Sequence, residues 1–126
     1  MTLEQSTREI KILVIEDDAE VARIVDAFLS TYGYTVAIEG QAQAGIERAK
    51  TMKPHLIILS AALPGMDGHR AKEVLKQDPI TANIPVVFLA DRNMPIDFRE
   101  DLFVRKPFSC ERLLDIVRLV LLSVSK

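Results

Sequence analysis

Polar side chains that could do chemistry close three apolar runs of this sequence. Glu16, Asp17 and Asp18 follow "KILVI", Ser60 follows "LIIL", and Lys106 follows "LFVR". Adjacent carboxylates suit a hard divalent cation such as Mg2+, which takes oxygen ligands and keeps several waters. A lysine facing them could hold a phosphoryl oxygen as a compact point charge. An aspartate nucleophile would complete a phosphoryl-accepting site, but the position that should supply it holds Ser60. A serine hydroxyl is a weak nucleophile unless a base is adjacent. His55 and His69 are the only histidines, and neither is placed to act as that base.

The elements that must position these residues are legible in the apolar pattern. Ile10–Ile15, Tyr34–Ile38, Leu56–Leu59, Pro85–Ala90 and Leu102–Arg105 read as strands. Their near-continuous apolar character is expected of parallel strands covered on both faces. Between them, "AEVARIVDAFLSTYG" carries Val21, Ile24, Val25, Phe28 and Leu29 at helical spacing, with Gly33 as its stop. "QAQAGIERAKTMK" and "HRAKEVLKQD" are further helices, and a last one starts at Ser109 as N-cap and runs toward Leu122. This alternation predicts an α/β fold: an open, doubly wound, parallel five-stranded sheet of the flavodoxin-like (βα)5 type. Such folds gather ligands at the carboxyl ends of their strands, so Glu16, Asp17, Ser60, Ala90 and Lys106 should share one surface. The connection "DRNMPIDFRE" (91–100) is close to the minimum length for a parallel crossover. It contains Pro95, so the fourth helix expected there is short or degenerate.

The bulk composition narrows the function. A chain of 126 residues supports one domain with a real core. We read residues 1–9 as a lead-in and 10–126 as a single domain. The net charge of −2 offers no basic field to nucleic acid or an anionic membrane. No apolar run approaches the roughly 20 residues of a membrane span, and "MTLEQSTREI" lacks a signal core, so a cytoplasmic protein is expected. The single cysteine, Cys110, excludes an internal disulfide and a cysteine-based zinc cluster.

"KILVIEDD" (11–18), "KPHLIILSAALPGMDG" (53–68), "IPVVFLA" (84–90) and "VRKPF" (104–108), in this order and spacing, resemble a response-regulator receiver domain. The resemblance runs from about Ile10 to Val124. It implies that Glu16 and Asp17 occupy the positions of metal-binding acids, and Ala62 that of a backbone carbonyl reaching the metal. It likewise implies that Lys106 stands at the phosphate-pairing lysine, with a cis peptide before Pro107. Ser60 falls on the phospho-accepting aspartate, and Ala90 on the switch hydroxyl. Phe103 falls on the rotating switch aromatic.

What this implies is a pseudo-receiver, a phosphorylation-independent protein–protein interaction module in two-component-type signalling. It would not be an enzyme and would have no small-molecule substrate. Its partner would be a histidine kinase, another signalling protein or a second copy, and with no output domain following, output would come through docking. No cofactor is required, and at most a weak Mg2+ site survives. The alternatives are a phospho-accepting receiver with an altered acceptor at Ser60, or a small-ligand sensor using the vacated pocket. A metal-dependent phosphohydrolase fits the fold but lacks a nucleophile.

Plainer roles stand beside these. The acidic triplet can serve as a solvated helix start. Lys106 is expected to pair with Asp17, and Asp91 to be a surface acid. His55 and His69 are expected at the surface, and Cys110 is expected to be an unreactive thiol. On the last helix, Leu113, Ile116, Val117, Val120 and Val124 form the core stripe, whereas Leu119 and Leu122 fall among charged residues on the other side. Those two leucines are the interface candidates.

Overall fold

The computed structural model describes residues 9–91 and 102–124. Alternating strands and helices run β1 (Lys11–Ile15), α1 (Ala19–Thr31), β2 (Thr35–Glu39), α2 (Ala42–Met52), β3 (Leu56–Ser60), α3 (Gly68–Gln77), β4 (Val86–Ala90), β5 (Leu102–Arg105) and α4 (Cys110–Val124). All strand pairs are parallel, in the order β2-β1-β3-β4-β5. The connection expected to hold a short helix falls on residues outside those described, apart from Asp91.

The continuous apolar runs have the cause inferred from the sequence. Alternate residues of β1 and β3 serve two cores. Leu13, Ile15, Ile57, Leu59 and Phe88 pack with α2 and α3 residues such as Ile46, Ala49 and Leu75. Ile12, Val14, Leu56, Ile58, Val87 and Leu89 pack with Val25 and Leu29 of α1 and Leu113 and Val117 of α4. With side chains alternating across the sheet, a strand covered on both faces has no position left for a polar residue until it ends. The polar residues therefore appear at the strand ends.

Local chemistry sets the helix boundaries. Asp18 caps α1, accepting the N–H groups of Glu20 (3.0 Å) and Val21 (3.3 Å). Asp67 caps α3 and Ser109 caps α4 in the same way, through Arg70 N (2.8 Å) and Arg112 N (3.0 Å). The chain leaves α1 through Gly33, whose φ of +93° favours a residue without a Cβ. In α4, Leu113, Val117 and Val120 are buried and Ile116 is partly buried. Leu114 is also buried, against the same core. It was missing from the expected stripe because α4 presents an arc wide enough to include it. Val124 lies outside the described side chains.

His55 is not a plain surface residue. It is partly buried, its N–H donates to Lys11 O (2.8 Å), and its Nδ1 accepts the Lys11 N–H (3.0 Å). The ring thus extends the β1–β3 ladder one step beyond the Ile12–Leu56 pair. This correction could not come from periodicity, because it depends on strand register.

Candidate functional site

The order of strands reverses direction between β1 and β3, and a crevice outside the strand ends is expected at that point. Glu16 is still held in the sheet there, through its N–H to Glu39 O (3.0 Å). Its side chain is only 1 % exposed. Oε2 accepts the Asp18 N–H at 3.0 Å, and Oε1 lies 2.8 Å from Lys106 Nζ. The lysine contact is one of charge rather than an aligned hydrogen bond, and Oε1 has no aligned donor among the described residues. Burial pushes the Glu16 carboxyl above its ordinary value, while Lys106 and the Asp18 N–H pull it back only in part.

Lys106 therefore pairs with Glu16, and not with Asp17 as expected from the sequence. Asp17 lies past the last ladder bond and is exposed. Lys106 is fixed by its backbone as well, its N–H donating to Ala90 O at 2.8 Å. The Lys106–Pro107 peptide is cis. Asp91 is exposed, as expected, yet its Oδ1 reaches within 4.0 Å of Lys106 Nζ, and its carbonyl accepts Arg105 Nη1 at 3.1 Å. Lys106 thus ties together the ends of β1, β4 and β5.

Ser60 ends β3 and is 1 % exposed. Its Oγ lies 3.4 Å from the carbonyl of Ala62, a long contact. The start of α3 presses on this turn. A Cβ on Gly68 would come within 2.7 Å of Ala61 Cα and collide with Ser60 O. Nothing in the sequence marked this glycine as a packing site rather than a turn residue. His55 does not reach Ser60 as a base. His55 sits at the opposite end of β3, roughly 16 Å away at about 3.3 Å per residue. The His69 ring packs 4.8 Å from the Phe88 ring.

Ala90 is buried at the end of β4. Phe103 is partly buried in β5, with the Arg105 guanidinium 5.3 Å from its ring centre. The structure thus brings Glu16, Ser60, Ala90 and Lys106 to one end of the sheet, with Asp17 and Ala62 on its rim. It leaves Leu119 and Leu122 on α4, at 63 % and 67 % exposure, away from the strand ends.

These donors are a poor match to Mg2+. Such an ion wants near-octahedral oxygen ligation, but Glu16 is turned inward onto a lysine, Ser60 contributes no charge, and the Ala62 carbonyl faces the Ser60 hydroxyl. No group of three His, Cys, Asp or Glu side chains arranged for a metal occurs among the described residues. No helix among them is long and apolar enough to cross a membrane.

Known proteins share this fold. The response regulator receiver domain family matches residues 12–118. The response regulator ArlR of Staphylococcus epidermidis is 31% identical over 116 residues, covering 87% of this chain and 52% of that protein. A probable transcriptional regulator, ycf27 of Porphyridium aerugineum, is 30% identical over 92% of the chain and 50% of its own length. The chain thus spans about half the length of these relatives. It also matches 7% of hybrid signal transduction histidine kinase D of Dictyostelium discoideum, at 36% identity over 81% of the chain. Among solved structures, a putative response regulator from Chloroflexus aurantiacus superposes with a TM-score of 0.82 at 23% identity, covering 91% of this chain and 99% of that one. The N-terminal domain of a response regulator/sensory box/GGDEF protein from Carboxydothermus hydrogenoformans reaches 0.79 at 30% identity, over 90% and 94% of the two chains. The chain belongs to the response regulator receiver domain family.

Proposed function

We propose that this domain is a pseudo-receiver, which docks protein partners in two-component-type signalling without accepting a phosphoryl group. One observation carries the reading. The acceptor position holds a buried hydroxyl, Ser60, and the lysine that would meet a phosphoryl oxygen is already held at 2.8 Å by Glu16.

Each part of the transfer chemistry is weakened. A hydroxyl without an adjacent base is a poor nucleophile. Asp17 and a paired Glu16 offer a cation less negative charge than a site with a third carboxylate at position 60 would. The Lys106 charge is spent on Glu16, so an incoming anion would have to displace a buried carboxylate. At Ala90 no hydroxyl exists to follow a phosphoryl group, and a ligand that interacts equally with two states shifts neither. We therefore assign no catalysed reaction, no small-molecule substrate and no required cofactor, and we place Mg2+ binding above the low micromolar range. Output would come from a surface that is always displayed. A histidine kinase, another signalling protein or a second copy could read it.

The test is intact-mass measurement after incubation with a small acyl phosphate and Mg2+. No mass increase is expected. A stoichiometric phosphoryl adduct on the wild-type chain would overturn the reading.

A further inference from the structure

We propose that the groove between β5 and α4 binds a nucleoside monophosphate. The base would lie against Phe103 and Phe108, and the phosphate between the guanidinium groups of Arg105 and Arg112. The ligand is held and released unchanged. This goes beyond the docking reading above and does not depend on whether the chain accepts a phosphoryl group.

The groove has the size and lining of a small-ligand site. Its volume is about 520 Å3, within the ~300–1,000 Å3 usual for such sites. Phe103, Phe108 and Ile116, each partly buried, give it an apolar floor. Arg105 and Arg112 also line it, and none of the lining residues is acidic. Apolar walls with a few convergent polar groups are what orient a small molecule. Lys106 does not line this groove, so it is separate from the site at the strand ends.

Local structure explains why these groups converge. In β5, Phe103 and Arg105 are two residues apart and so lie on one side of the strand. The Arg105 guanidinium stands 5.3 Å from the Phe103 ring centre, and its Nη1 donates to the Asp91 carbonyl at 3.1 Å. In α4, Arg112 and Ile116 are four residues apart on one helix face. The Arg112 guanidinium has no ion pair among the described residues. Two cations from separate elements thus border one aromatic recess. Guanidinium forks match phosphate oxygens bidentately, and an aromatic face stacks a base of any identity. A bare phosphate would leave the apolar floor wet, and a neutral aromatic would leave Arg112 without a counter-charge. A flat base with a phosphate at one end satisfies both.

Isothermal titration with adenosine and guanosine 5′-monophosphates, paired with amide shifts, tests the site. One-to-one binding is expected, with a dissociation constant between about 10 µM and 1 mM, as an open groove with few polar contacts allows. The shifted amides should fall in residues 103–109 and 112–116. Adenosine and ribose 5-phosphate each carry only part of the ligand and should bind about tenfold more weakly or worse. Arg112→Ala removes one charge-assisted contact and should raise the dissociation constant about tenfold. Its melting temperature should not change, since the side chain is exposed. Phe108→Leu should weaken binding while keeping bulk against the core that Phe108 packs on. Arg23→Ala, an exposed arginine of α1, should change nothing.

No heat and no shift with either nucleotide at about 5 mM would overturn the proposal. So would shifts centred on Asp17, Ser60 and Lys106, which would put the phosphate at the strand ends instead. Inorganic phosphate or ribose 5-phosphate binding as tightly as the nucleotides would overturn it too, because the aromatic floor would then contribute nothing. Binding indifferent to Arg112→Ala would do the same. None of these outcomes touches the intact-mass result, and a phosphoryl adduct on the wild-type chain would leave the groove titration as it is.

Discussion

At position 60 the chain holds a buried hydroxyl, at the same end of the sheet as a lysine already paired with Glu16, and this arrangement makes specific demands on variants. Ser60→Asp would place a second carboxylate near buried Glu16. Like charges in one pocket disfavour each other's ionisation, so the metal-free variant should lose roughly 1–3 kcal/mol in urea titration, in the range for a poorly compensated buried charge. Added Mg2+ should recover part of that loss, and slow labelling by an acyl phosphate should appear by intact mass. With Ala90 unchanged, amide shifts of residues 102–108 should stay small on labelling. Glu16 itself has a pH signature. Its carboxyl is raised by burial, so the folded state holds that proton more readily than the unfolded chain. Stability contributed by the protonated form is present near the ordinary carboxylate value of 4.5 and is lost as pH rises through the raised value. Glu16→Gln keeps an acceptor for the Asp18 N–H and removes the charge. Its stability relative to wild type, measured by urea unfolding, should improve as pH rises above the ordinary carboxylate value.

At the scale of elements, the acidic triplet divides into three jobs. Glu16 ties β1 to Lys106, Asp17 is exposed, and Asp18 starts α1. Asp18→Ala should cost about 1 kcal/mol, the usual value of an N-cap, whereas Asp17→Ala should stay within about 0.5 kcal/mol. Equal effects would mean that the triplet acts as one site. The α3–β3 junction is more fragile. A Cβ at Gly68 meets backbone and the Phe88 ring rather than a flexible side chain. Gly68→Ala should therefore destabilise by roughly 1–3 kcal/mol, as overpacking does. Thermal unfolding would show it, and an unchanged melting temperature would mean that α3 can slide outward freely.

Across the whole molecule, the strand order β2-β1-β3-β4-β5 places β1 and β3 toward the centre and leaves β2 and β5 as edges among the described residues. Amide exchange should be slowest in residues 12–15 and 57–59, where both faces and both ladder partners are present. It should be faster in 102–105, whose strand pairs only with β4 among the described residues. Lys106 ties three strand ends at one edge of this core, so Lys106→Ala should raise exchange at the ends of β4 and β5 more than at β2. Uniform loss of protection would show a global loss of stability instead of a local clasp.

The layered fold could be read from the sequence because its determinants are local. Strands buried on both faces are continuously apolar, and helices with one buried face are periodic. The caps at Asp18 and Ser109 act on N–H groups two or three residues away. Ser60 stood out as a polar residue closing an apolar strand, whereas Ala90 was singled out only by what the resemblance to receiver domains implies for its position. Which acid meets Lys106 was not local. Glu16 turns inward because its N–H is still bound to β2, and Asp17, one residue on, has left the ladder. Leu114, Gly68 and His55 escaped a sequence reading for a related reason. The burial of Leu114 depends on how wide an arc α4 presents to the sheet. Gly68 matters because α3 presses on the end of β3, and His55 is held by the register of β1 against β3. Distances between elements distant in the chain exist only once the sheet has formed, and they decide how Glu16 meets Lys106 at the strand end that also holds Ser60.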